Sequence, residues 1–131
     1  GGYCNIDQPA LRDCLGPTQH ALCRNAYVRL HGRNARNWFA EGVPAFERYN
    51  YLYGPDELRE WLARLNPLCT ETENVYVFAN NHYRGQGVVN ALELRAMLEN
   101  NAVAAPRELL DAYPRLAALA RPPRDGGLFD M

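Results

Sequence analysis

The stretch from Val75 to Leu98 constrains the fold more than any other. Val75-Tyr76-Val77-Phe78-Ala79 is nearly all apolar, as befits a parallel strand covered on both faces. It runs into Asn80-Asn81-His82-Tyr83-Arg84-Gly85-Gln86-Gly87. A helix is expected from about Val88, with Ala91, Leu94 and Leu98 on its buried side and Asn100-Asn101 at its end. Strand, polar turn, helix is half of a βαβ unit, and the chain upstream repeats it. Residues 26–31, Ala-Tyr-Val-Arg-Leu-His, alternate with a period of two, which places Tyr27, Arg29 and His31 on one face. Pro55-Asp56-Glu57 opens a helix, since proline suits the first turn and acids complement its dipole. Leu58, Trp61, Leu62 and Leu65 form its apolar stripe, and Asn66-Pro67 is expected to end it.

Residues 3–7 read as the end of an earlier strand, stopped by Gln8-Pro9. After Pro106 come one or two short helical pieces broken by Pro114. Residues 122–131, rich in Pro and Gly, are expected to be a flexible tail. The order strand, loop or short helix, strand, helix, strand, helix predicts an α/β protein with parallel strands and helical crossovers. Three such strands make a poor free-standing sheet, because both outer strands expose unpaired edges. The chain also opens on Gly1-Gly2, without Met, directly before a strand end. Part of the sheet is therefore expected to be supplied from elsewhere, by further chain or by a partner.

Composition narrows the function classes. A chain of 131 residues suffices for one domain. No apolar run approaches the roughly 18–20 residues of a membrane span, so no membrane partner is expected. The net charge of −1 means that any nucleic-acid contact needs a local basic patch. All 14 basic residues are Arg, whose planar fork suits carboxylate or phosphate. Cys4, Cys14, Cys23 and Cys69 show no paired spacing, so neither a disulfide nor an extracytoplasmic setting is expected; the location predicted is the cytoplasm.

Three segments carry a family resemblance: Tyr27-Val28-Arg29-Leu30-His31-Gly32-Arg33-Asn34 with Arg48-Tyr49-Asn50-Tyr51, Val75 through Tyr83, and Asn90-Ala91-Leu92. In order and spacing they resemble the YecE-like family, domain of unknown function 72. Asp7 fits the family's strand-end Asp, although Gln8-Pro9 departs from the usual neighbours. The resemblance implies an eight-stranded TIM (βα)8-type barrel, of which residues 1–121 would be the C-terminal three βα units, with the N-terminal half absent. A whole barrel takes about 250 residues. No activity comes with the resemblance, so function has to be argued from the site.

Barrel active sites lie at the carboxyl ends of the strands. Those ends carry Asp7, His31 and Asn80-Asn81-His82, with Arg29 expected to face the interior beside His31. Asp7, His31 and His82 are the candidate catalytic residues, as acid–base groups, an orienter or, if a divalent metal is used, its two-His, one-carboxylate ligands. Arg29, Arg33, Asn34, Asn80, Asn81, Tyr83, Arg84, Gly85 and Gly87 are the candidate ligand-binding set. Gly85 and Gly87 precede a helix start, where free N–H groups suit phosphate, and Arg84, Arg33 and Arg36 are candidate clamps. An ordinary Gly-containing turn reads the same way. His20 has no visible partner and is placed on the surface. The aromatic run from Trp38-Phe39 to Tyr53 is either a packed lid or a stacking platform for bases or sugars. Leu128-Phe129 faintly matches a sliding-clamp peptide end. Two functions fit: an enzyme, a hydrolase or lyase acting on a phosphorylated or phosphodiester substrate, and a non-catalytic module binding a phosphorylated ligand or nucleic acid.

Overall fold

A computed structural model of the chain describes residues 3–124. The Leu128-Phe129 pair and most of the expected tail lie outside them. Strands β1 (Cys4–Asp7), β2 (Asn25–Leu30) and β3 (Asn74–Ala79) form one parallel sheet in the order β1-β2-β3. Asp7 lies beside Leu30 and Leu30 beside Ala79. The three strands thus end side by side, and the residues that follow them emerge along one rim.

β1 and β2 are joined by an irregular segment over residues 8–24 rather than by a helix. It is anchored by Asn5, whose side chain bonds both the N–H (2.6 Å) and the carbonyl (3.0 Å) of His20. His20, expected to stand alone, also packs edge-on against Tyr3 at 4.9 Å. The crossover from β2 to β3 carries helix α1 (Pro55–Glu71). Ala26, Val28 and Leu30 alternate inward along β2 and pack on Leu58, Trp61, Leu65 and Leu68 of α1, all at most 1% exposed. Each such large side chain contributes about 1.5–3 kcal/mol by leaving water.

α1 does not end at Asn66-Pro67 but runs four residues beyond Pro67, to Glu71. Leu68 is the reason: its burial in the core holds the last turn helical. The bond that proline cannot make belongs to the carbonyl of Ala63, on the exposed side of the helix.

Helix α2 (Gln86–Glu99) follows β3 and closes on Asn100 in the left-handed conformation. Its buried residues include Val89, Asn90, Glu93, Leu94 and Ala96, whereas Ala91 and Leu98, expected inside, are exposed. They look across an open cavity of about 240 Å3 toward Val75, Val77 and Ala79 of β3. Nor is β3 covered on both faces: Tyr76, Val77 and Phe78 are 46%, 37% and 50% exposed. Among the described residues β3 is also the edge strand of the sheet, with no neighbour on its outer side.

Past α2, the two-residue strands β4 (Val103–Ala104) and β5 (Ala120–Arg121) pair in parallel around helix α3 (Arg107–Ala112) and a 3-10 turn at Pro114–Ala118. Val89, Ala96, Val103, Leu116 and Ala120 make a second small core there. Among the described residues no helix is long and apolar enough to cross a membrane.

Candidate functional site

The rim formed by the strand ends holds two layers of polar groups. The lower layer is buried. Asp7, fully buried, receives two hydrogen bonds at 2.9 Å from the Arg33 guanidinium and one at 2.6 Å from the Tyr53 hydroxyl. That hydroxyl accepts the Gly32 N–H at 2.9 Å, while the His31 N–H donates to the Asp7 carbonyl at 3.0 Å. Arg33 also meets Glu57 at 3.1 Å and Glu60 at 3.4 Å. Burial, reinforced by the Asp7 charge and hydrogen bond, pushes the Tyr53 phenol far above its ordinary range. Burial and the neighbouring Glu57 push Tyr51 up to about 12. Tyr51 donates to Glu57, whose carboxylate also caps α1 through the Gly54 N–H at 2.9 Å.

The buried layer continues to β3. The Asn90 side chain bonds both the N–H (2.9 Å) and the carbonyl (3.2 Å) of Tyr53, and its oxygen accepts from Asn81 at 2.8 Å. Asn81 also donates to the Tyr51 carbonyl at 2.9 Å. Asn90 reaches Glu93 at 3.1 Å, and Glu93, 2% exposed, pairs with Arg115 at 2.8 Å. Buried polar groups are costly unless matched, and in this layer Asn81 Oδ1 and Arg115 Nε are left without a partner.

The upper layer is open and aromatic. His31 and His82 both lie near the Tyr49 ring, at 6.0 Å and 5.6 Å between ring centres, and Trp38 closes on His31 and Tyr49 at 6.2 Å and 6.1 Å. His31 Nδ1 is buried and unpartnered. Burial, then Arg29, hold its pKa below the ordinary 6.5 against the opposing pull of Asp7, so the ring is neutral at pH 7. His82 Nδ1 lies 2.9 Å from the Asn80 carbonyl, which only accepts, so Nδ1 carries the proton and Nε2 is left as a base.

Around these rings sit cations with neutral neighbours. Arg29 donates to the Asn80 side-chain oxygen at 3.0 Å; Arg48 lies over Trp38 at 5.9 Å and Arg84 over Tyr83 at 5.1 Å. Tyr83 in turn stacks on Phe46 at 5.0 Å. Among the described residues, none of these three arginines has a carboxylate partner, unlike Arg33.

Several expectations change accordingly. Asp7 is engaged by Arg33 and Tyr53 beneath the rim; among the described residues no three His, Cys, Asp or Glu side chains gather as a metal site. Arg33 is paired with three carboxylates, those of Asp7, Glu57 and Glu60. Asn34 spends its amide on the loop, donating to the carbonyls of Glu47 (3.0 Å) and Asn50 (2.9 Å), and Asn81 is buried beneath the rim. Gly87 is required by packing: a Cβ there would stand 3.1 Å from the Ala79 carbonyl oxygen. Arg29 is exposed on its strand face, which no strand among the described residues covers. Gly85 and Arg84 both take positive φ at the start of α2, with the Arg84 carbonyl held by the Tyr113 hydroxyl at 2.6 Å. Tyr53, Glu93 and Arg115 escaped the sequence reading. Asn90 stood in a motif, but its role depends on partners far along the chain.

A parallel sheet with a helical crossover and a polar strand-end rim defines an α/β protein. The family model for "Protein of unknown function DUF72" matches residues 2–113, and the chain belongs to that family. UPF0759 protein YunF of Bacillus subtilis (strain 168) is 34% identical over 109 residues, which cover 79% of this chain and 39% of YunF. A DUF72 family protein from Thermotoga maritima MSB8 superposes with TM-score 0.67 at 38% identity, covering 73% of this chain and 36% of its own. One from Enterococcus faecalis V583 superposes with TM-score 0.66 at 25% identity and the same coverage. The chain therefore spans well under half the length of these relatives.

Proposed function

We propose that residues 1–121 are the last three βα units of an eight-stranded barrel, and that the strand-end rim binds and cleaves a phosphoester. The observation that carries the functional reading is two imidazoles gathered at the Tyr49 ring, with three rim arginines that lack carboxylate partners among the described residues. An anion is the natural complement of such cations. His31, neutral at pH 7, takes a proton from water as its oxygen attacks phosphorus. His82, once Nε2 has taken up a proton from solvent, gives it to the leaving alcohol oxygen as the P–O bond breaks, and Arg29, Arg48 and Arg84 hold the phosphoryl oxygens. The exposed Phe46 and the half-buried Trp38 suit an apolar or planar alcohol portion.

The test uses the longer protein that the barrel proposal implies, with bis(p-nitrophenyl) phosphate and p-nitrophenyl phosphate as probes. Replacing His31 or His82 by Ala is expected to cut turnover by about 10²–10⁴-fold. Arg29→Gln and Arg84→Gln are expected chiefly to raise KM. Turnover that survives both histidine substitutions sinks the acid–base assignment. Inorganic phosphate that binds without any turnover moves the protein to the non-catalytic reading.

A further inference from the structure

We propose that Tyr53 and Asn90 are positioning residues that set the two imidazoles against each other, and that Asp7 serves this mount instead of exchanging protons itself. The inference rests on the acid–base reading of His31 and His82, but its geometry stands apart from that chemistry. The backbone on both sides of the His31 carbonyl is tied to Asp7. The His31 N–H reaches the Asp7 carbonyl directly, and the Gly32 N–H reaches its carboxylate through the Tyr53 hydroxyl. Gly32 has φ +89°, and a Cβ there would lie 2.7 Å from Tyr51 Cβ, so the chain after His31 has one narrow path.

Tyr53 is in turn held through its own backbone by Asn90, which reads both its N–H and its carbonyl as a neighbouring strand would. The same Asn90 oxygen takes a hydrogen from Asn81, the residue before His82. One fully buried path, Asp7–Tyr53–Asn90–Asn81, thus runs from the end of β1 beneath β2's loop to the end of β3. Its four members are 0% exposed, so ligand cannot touch them, and their effect on chemistry must pass through the rings above. Small misplacement matters there, since about 1 Å can cost up to 10²-fold in rate.

The experiment reads imidazole geometry directly, by 15N NMR of the histidine rings in the longer protein. Tyr53→Phe removes only the hydroxyl and is expected to shift the His31 ring signals while leaving those of His82 in place. Asn90→Ala is expected to shift both. Where turnover is measurable, Tyr53→Phe should lower kcat about tenfold with KM within about twofold. Variants that lower Tm and leave both rings unmoved overturn the proposal. In the unsubstituted protein the Tyr53 hydroxyl proton should exchange slowly and show a nuclear Overhauser contact to the Gly32 amide. Its absence overturns the proposal even if no variant folds. Coupled rings without phosphoester turnover would refute the hydrolytic reading alone.

Discussion

At the level of single residues, Asp7 and Arg33 form an ion pair between a strand end and the loop that follows the neighbouring strand. Asp7 has no exposure and Arg33 retains 22% of its side chain in contact with solvent. Removing one member of a buried pair strands the other, at a cost of about 3–5 kcal/mol. Arg33→Ala is therefore expected to lower stability by that order in urea denaturation, where a surface clamp would change only ligand affinity. The strand-end Asp was legible in the sequence because Gln8-Pro9 marks where β1 stops. Its partners were not, since Arg33 and Tyr53 arrive from separate loops that only the folded chain brings together. His31 gives a pH signature. Its folded pKa is lowered, so as pH falls below 6.5 the unfolded chain takes up the proton first and stability declines until the folded value is passed. Unfolding midpoints are expected to fall as pH is lowered through 6.5, and His31→Gln should flatten that fall.

Among the elements, the strands were the easiest to read and the ends of helices the hardest. β2 alternates with a buried Ala26, Val28 and Leu30, and that period survives folding because α1 covers one face. The stop at Pro67 failed because a local rule lost to a tertiary contact, the burial of Leu68. This leaves a removable defect. Pro67→Ala restores a donor for the Ala63 carbonyl, and about 3 kcal/mol of helix preference outweighs the roughly 0.4–1 kcal/mol of extra unfolded-state entropy. A rise in the urea midpoint is the expected outcome; a fall would mean that proline sets the angle at which Leu68 enters the core. β4 and β5, two residues each, carry no period at all and were invisible before the fold brought them together.

For the whole molecule, the unpaired edges expected from a three-stranded sheet are present on β3, where Val77 stays exposed beside the Leu98 cavity and Tyr76 and Phe78 stay exposed on the other face. Contiguous apolar surface of this kind drives association unless it is covered. Val77→Lys and Leu98→Lys together are expected to reduce self-association of the 131-residue chain, measured by light scattering. In the longer protein the same pair should lower the melting temperature, because there the barrel proposal buries that surface; an unchanged value in both settings would count against the barrel. The chain's two tryptophans fall on opposite sides of this architecture. Trp61 is sealed in the core at 0% exposure, whereas Trp38 is half-buried against His31 and Arg48. Their fluorescence therefore separates into two channels, one recording the integrity of the fold and one recording events at the rim. A Trp61→Phe protein would carry a built-in optical probe of its own site, with protonation of His31 quenching the emission of the indole beside it.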